Sequence, residues 1–234
     1  NLQEYQYGYH KGWSMILDTL TWPVLIMMLI CIGIAPIFAG EYQSKCDSLI
    51  LCMKYGRSKL ILAKIISGWL YATGVYWGIT LIYSSIYMIF LGTQGADLPI
   101  QLKYPAMSVG YNLTMGEAVG ITLLLGYFFT LGIMGITLFM SALLKNTYAV
   151  IIVAFLLIII PTFLSLDTGG YVWSHVLSLL PPKIADFSFQ SYTAYSIGNI
   201  VLSWPLMAIL VNAIVAVLCS VLGYIIFRKH QVNK

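Results

Sequence analysis

The sequence predicts an all-α fold: a polytopic bundle of membrane-spanning helices. Composition is the first ground. Of 234 residues, 60% are hydrophobic and only 9% charged, whereas an ordinary soluble domain carries about 25% charged residues. Too few polar groups exist to cover a water-exposed surface, so lipid must be the outer solvent. Second, the apolar residues fall in runs of the length that a helix needs to cross a hydrocarbon core of about 30 Å, roughly 20 residues. Third, Lys and Arg are distributed to one side of those runs.

Five crossings are expected in order, at about 19–40, 60–91, 114–144, 147–165 and 199–227. The second is long enough to tilt or to extend into water. Residues 1–18 then read as the end of an extracellular segment, and 19–234 as the transmembrane domain. Between the fourth and fifth runs, Leu166 to Gly198 is less regular. Its apolar part, YVWSHVLSLLPP, is too short to cross and reads as an interfacial or re-entrant helix ended by Pro181 and Pro182. The opening stretch NLQEYQYGYHKGW is polar and aromatic. It lacks the layout of a signal peptide, and the chain reads as lacking its natural start.

Sidedness follows from the cations. Lys45, Lys54, Arg57, Lys59, Lys64, Lys145, Arg228, Lys229 and Lys234 would share one side, leaving Lys11, Lys103 and Lys183 on the other. The first set predicts the cytoplasmic face, with the start of the chain outside and the C-terminus inside. Tyr5, Tyr7, Tyr9, Trp13, Trp173, Tyr192 and Tyr195 gather at the predicted outer ends, as an aromatic belt does.

One cytoplasmic segment is too polar to span and too patterned for a random loop: EYQSKCDSLILCMKYGRSK, Glu41 to Lys59. Tyr42, Cys46, Leu49, Ile50 and Met53 recur at helical spacing and form one face of an amphipathic helix over about 42–55. Gly56 supplies a stop, and Ser58 a cap for the helix that follows. Such a helix either rests on lipid or docks a cytoplasmic partner.

The run FAGEYQSKCDSLILCMKYGRSKLILAK resembles the signature of ABC-2-type ABC transporter permeases. In that family a span ends in Phe and Glu-Tyr, and a short helix follows. A small-residue, Ser/Arg, Lys turn leads to a span opening with Ala-Lys. Phe38, Glu41, Tyr42, Lys45, Asp47, Gly56, Arg57, Lys59 and Lys64 match. The ending FRKHQV, and the stretch before it with Leu180, Pro181, Tyr192 and Tyr195, are also similar, so the likeness covers nearly the whole chain. Family members have six spans, which implies that the first is missing here and that Asn1 to Lys11 is the tail of the external segment that follows it.

The resemblance implies a bacterial cytoplasmic-membrane export permease acting as a homo- or heterodimer with separate ATP-binding subunits. ATP and Mg would bind the partner, and this chain, having no G-x-x-x-x-G-K-[S/T] loop, would bind no cofactor and perform no catalysis itself. It also implies that coupling to the ATPase falls on Glu41, Tyr42, Lys45, Asp47, Leu49, Ile50, Met53, Tyr55, Gly56 and Arg57, with a continuous helix from Ser58 to Leu91 as the lever. A sensory or immunity module that binds a toxic peptide is the alternative. An intramembrane enzyme is disfavoured by the lack of paired intramembrane carboxylates, H-E-x-x-H or G-x-S-x-G.

Glu117 is the acid nearest a span. Thr114-Met-Gly-Glu117 reads as a capping box, and a place on a substrate path is the other reading. Gly74-x-x-x-Gly78 and Gly116-x-x-x-Gly120 permit close helix packing. Cys31, Cys46, Cys52 and Cys219 have neither C-x-x-C spacing nor a neighbouring His, which disfavours a metal or redox site. With no basic stripe beyond the membrane edges, nucleic acid is not an expected partner. Tyr71, Tyr76, Trp77, Tyr83, Tyr87, Tyr127, Phe128 and Phe129 would suit an amphipathic or lipid-like cargo if they faced a pathway.

Overall fold

The computed structural model describes residues 8–19, 22–46, 56–104, 110–164, 170–187, 189, 192–197 and 200–229. A short helix, α1 (Lys11–Asp18), is followed by α2 (Trp22–Ile34) and α3 (Pro36–Gln43). Together α2 and α3 form the first long apolar rod. Its break at Ala35 has an identifiable cause: Pro36 has no N–H to continue the ladder. Next comes α4 (Ile61–Leu91), preceded by a π-helical turn over Gly56–Leu60. Three further apolar helices are α5 (Met115–Leu143), α6 (Thr147–Phe163) and α8 (Trp204–Lys229), with the short α7 (Gly170–Ser178) between the last two.

Among the described residues, four helices are long and apolar enough to cross a membrane: Pro23–Gln43, Ser58–Leu91, Met115–Leu143 and Trp204–Lys229. The fifth expected run forms α6, a shorter apolar helix of 17 residues. The molecule is therefore mostly helical, as its hydropathy requires.

α5 is the centre of the bundle. In its most apolar stretch 61% of residues are buried, against 11% for the stretch in Ser58–Leu91, which therefore sits at the periphery. It packs along most of its length on α8, and α2, α3, α4 and α6 surround it. The close approach to α8 depends on glycine: a Cβ on Gly135 would lie 2.7 Å from the Ala216 Cα and 2.8 Å from its carbonyl oxygen. The spacings Gly74/Gly78 and Gly116/Gly120 do not have this role. A Cβ at Gly74, Gly78 or Gly120 would meet nothing within 4 Å, and one at Gly116 meets only the Ala96 loop.

The molecule has two chemically distinct ends. At the basic end lie the close of α3, the start of α4, the α5–α6 turn and the close of α8, carrying Lys45, Lys59, Lys64, Lys145, Arg228 and Lys229. The far end holds α1, the described residues 92–104 and 110–114, α7 and a hairpin. Gly92, at φ 82, stops α4 there, and its N–H bonds the Met88 carbonyl at 3.0 Å.

Three local expectations are corrected. The all-α reading missed a two-stranded antiparallel hairpin, β1 (Ala194–Ile197) with β2 (Ile200–Ser203), in register Ala194↔Ser203 to Ile197↔Ile200. The last long helix accordingly begins at Trp204 and not at Asn199. The Gly56–Leu60 turn is already helical, so Ser58 lies inside the helix and does not cap it.

Candidate functional site

A fourth correction concerns the amphipathic segment. Tyr42 does not begin a new helix; with Glu41 and Gln43 it closes α3. Ser44 then caps α3, and Lys45 turns the chain away at φ 54, a left-handed conformation that ends a helix. A helix over 42–55 is thus interrupted at 44–45. Asp47, Leu49, Ile50, Met53 and Tyr55 lie outside the described residues, as does the side chain of Arg57, while Gly56 opens the π-helical turn.

The residues on either side of that segment are brought together. The Lys64 ammonium forms an ion pair with the Glu41 carboxylate and donates to the Ile37 carbonyl oxygen at 3.0 Å. One cation thus ties the first turns of α4 to the last turns of α3. Both side chains are under a quarter exposed, so screening by water is partial and the pair is worth more than a surface bridge.

Further contacts seat the end of α3 on the bundle. The Tyr42 hydroxyl donates to the Ala142 carbonyl oxygen at 3.2 Å. Its ring meets Phe227 at 5.4 Å, and Phe38 meets the same ring at 4.7 Å. Gln43 donates through its amide nitrogen to the Asn146 side-chain oxygen at 3.0 Å and accepts from the Thr147 hydroxyl at 2.8 Å. The close of α3, both ends of the α5–α6 turn and the close of α8 therefore form one polar and aromatic cluster.

Above that cluster Ser141 binds the α2–α3 break. Its hydroxyl donates to the Ala35 carbonyl oxygen at 2.7 Å and accepts from the Phe38 and Ala39 N–H groups, each at 3.0 Å. The first N–H groups of a helix lack internal partners, and here one buried side chain supplies them. No motif distinguished Ser141 in the sequence. Lys64 was legible as one cation of the basic side and as part of the permease-like pattern, but not as the partner of Glu41.

Glu117 lies at the far end and is a cap. The Glu117 N–H donates to the Thr114 hydroxyl at 3.3 Å, while its carboxylate accepts from the Thr114 N–H at 2.9 Å. That is a complete capping box, and it commits the carboxylate to the backbone.

Two polar ties hold α1 to the far end. The Lys103 ammonium contacts the Asp18 carboxylate at 2.6 Å and donates to the Ser14 carbonyl oxygen at 2.6 Å. The Trp13 indole donates to the Thr93 carbonyl oxygen at 3.0 Å. Burial pushes the Lys103 amine below its ordinary value, and the Asp18 charge opposes that shift. Burial, and then the Tyr192 hydroxyl beside it, pushes the Tyr111 phenol up to about 12. Beneath α1, between α2, α4 and α5, is a cavity of about 250 Å³ with an almost wholly apolar wall.

Among the described residues, no three His, Cys, Asp or Glu side chains group as metal ligands, and Cys31, Cys46 and Cys219 are free thiols. These helices and their two-ended charge define an α-helical membrane protein. Residues 4–232 match the family of proteins of unknown function called DUF2705, and the chain belongs to that family. No curated protein and no solved structure matches it.

Proposed function

We propose that this chain is the membrane-spanning permease subunit of an ATP-driven exporter of the ABC-2 type. The observation that carries the reading is the Glu41–Lys64 pair. It clamps the two rods that flank residues 47–55, so a push on that segment moves both rods together. Coupling to a motor on another subunit needs such a junction, and the resemblance of Phe38 to Lys64 to permeases names the motor as an ATP-binding subunit.

In this reading the basic end faces the cytoplasm, in keeping with the charge rule, and the chain crosses five times. Counting α6 as a crossing draws support from its ends. Thr147 bonds Gln43 at the basic end, and Leu164 accepts from Lys183 at the far end. Its 17 residues sit at the short limit of about 17–25 for a span. A second permease copy or a paralogue completes the transporter, and the cargo is an amphipathic peptide, drug or lipid. The peripheral, lipid-compatible faces of α4 and α8 suit such a cargo.

The test is affinity purification of the tagged chain from its native membrane. Recovery of a separate ATP-binding subunit whose ATPase rate rises with an amphipathic ligand, together with ligand movement into vesicles, bears out the reading. Ligand binding with no ATPase partner and no movement would replace it with a sensory or immunity module.

A further inference from the structure

The cavity beneath α1 is built as a site for a chain-like apolar ligand, and the transport reading makes no use of it. Its floor is Tyr76 of α4 with Pro23 and Ile26 of α2, and its roof is Ile16 and Thr19 at the end of α1. Ile82 and Ile86 of α4 also line it, and they are 66% and 48% exposed. The cavity therefore opens sideways, between helices, toward the surface that lipid covers. At about 250 Å³ it lies just under the range of about 300–1,000 Å³ typical of small-molecule sites.

The walls are held in place from outside. Asp18 is fixed by Lys103, and Trp13 by Thr93, so α1 is pinned as a roof. On the floor, the Tyr76 hydroxyl is committed to the Leu123 carbonyl oxygen at 2.7 Å.

Two side chains in the wall break the pattern of the rest of the molecule. Buried hydroxyls in these helices bond carbonyl oxygens: Thr80 to Tyr76, Thr130 to Gly126, Thr137 to Ile133 and Ser220 to Ala216. The hydroxyls of Ser84 and Thr122 are buried with no partner among the described residues, and Thr122 is only 5% exposed. Both line this cavity. A rotation about χ1 turns either hydroxyl toward an incoming oxygen acceptor.

We infer that this cavity binds one acyl chain, entering from the leaflet at the far end, with its carbonyl oxygen accepting from Thr122 or Ser84. A free fatty acid and an esterified lipid share that chemistry. The inference stands apart from the transport reading, because binding needs neither an ATPase nor movement of cargo.

The experiment uses the whole chain in phosphatidylcholine vesicles carrying a trace of either palmitic acid or phosphatidylcholine with a diazirine in the acyl chain. After illumination, labelled residues are mapped by peptide mass spectrometry. The expected label concentrates on 79–86 and 122–123, above that on Ile152 and Val217, which are 60% and 52% exposed elsewhere on the molecule. Unlabelled palmitic acid competes it away at the cavity only. Saturation by the fatty acid alone, or by both probes, identifies the source of the chain. Ser84→Leu, which fills the space, removes the cavity label and spares Ile152 and Val217. Thr122→Val, which keeps the shape, weakens competition by about threefold to tenfold. Label that merely follows exposure, does not saturate, or survives Ser84→Leu overturns the inference, and the wild-type competition decides even if a variant does not fold.

Discussion

The Lys64 ammonium of α4 is shared between the Glu41 carboxylate and the Ile37 carbonyl oxygen, both on α3. It thus reads the direction of α3 as well as its charge. Glu41→Lys puts two cations together at a site under a quarter exposed. It is expected to lower stability by about 2 kcal/mol and, if the chain is a permease, to separate ATP hydrolysis from transport. The double change Glu41→Lys with Lys64→Glu restores the pair but loses the bond to Ile37, so recovery should be partial. Thermal unfolding in detergent and ATPase-to-transport ratios measure the two effects. Full transport by Glu41→Lys would remove this junction from the coupling path.

Ser141 is the more sensitive point, because it is fully buried and serves three backbone groups at the α2–α3 break. Ser141→Ala leaves the Phe38 and Ala39 N–H groups without that acceptor and the Ala35 carbonyl without that donor. Each such loss costs about 1–3 kcal/mol when nothing replaces it, and relaxation of the break recovers part. A net loss of about 2–3 kcal/mol is expected, with faster hydrogen exchange at 35–39. Unaltered exchange there would show that the break does not depend on this hydroxyl.

Lys103 gives the far end a pH dependence with a defined sign. Its folded-state pKa lies below the ordinary 10.5, chiefly through burial, so the unfolded chain holds this proton more tightly than the folded one. Stability therefore rises with pH through the window between the lowered value and 10.5. At lower pH the amine is charged in both states and the slope vanishes. Lys103→Met should flatten the alkaline rise, read from unfolding midpoints across that window. A wild-type midpoint that falls there by an amount Lys103→Met does not change would contradict the assignment.

The long apolar helices and the gathering of most described cations at one end were legible because they rest on sums over many residues. Single contacts were not. Glu41 and Lys64 are 23 residues apart, and no local pattern states that the two ends of that stretch meet. Ser141 resembles Thr130 and Thr137, which bond carbonyls of their own helix; only the approach of Ala35 gives it another task. The hairpin was missed because Ile-Val-Leu-Ser runs straight into the apolar start of α8, and three apolar residues do not distinguish strand from helix. The Gly198-Asn199 pair between the strands was the available signal. The amphipathic stripe from Tyr42 was a true periodicity over the wrong boundary, since α3 continues to Gln43 and Lys45 then turns the chain.

Glycine makes the clearest test of how this bundle is assembled, since spacing and geometry disagree. Gly74 and Gly78 have the small-xxx-small spacing, yet a Cβ on either meets nothing within 4 Å. Gly135 belongs to no such pair, yet its missing side chain is what lets α5 lie against Ala216 of α8. Gly135→Ala drives a methyl into backbone atoms that no rotamer change can move aside, so α5 and α8 must separate. An overpacking cost of about 1–3 kcal/mol is expected, together with loosening of the Asn212 amide from the Leu179 carbonyl oxygen, now 3.1 Å away. Gly74→Ala relieves helix entropy without a clash and should be neutral or stabilising by up to about 1 kcal/mol. Unfolding midpoints of the two variants in the same detergent decide the matter: the reverse order would mean that the Gly74 face, and not the α5–α8 contact, is where helices meet in the membrane.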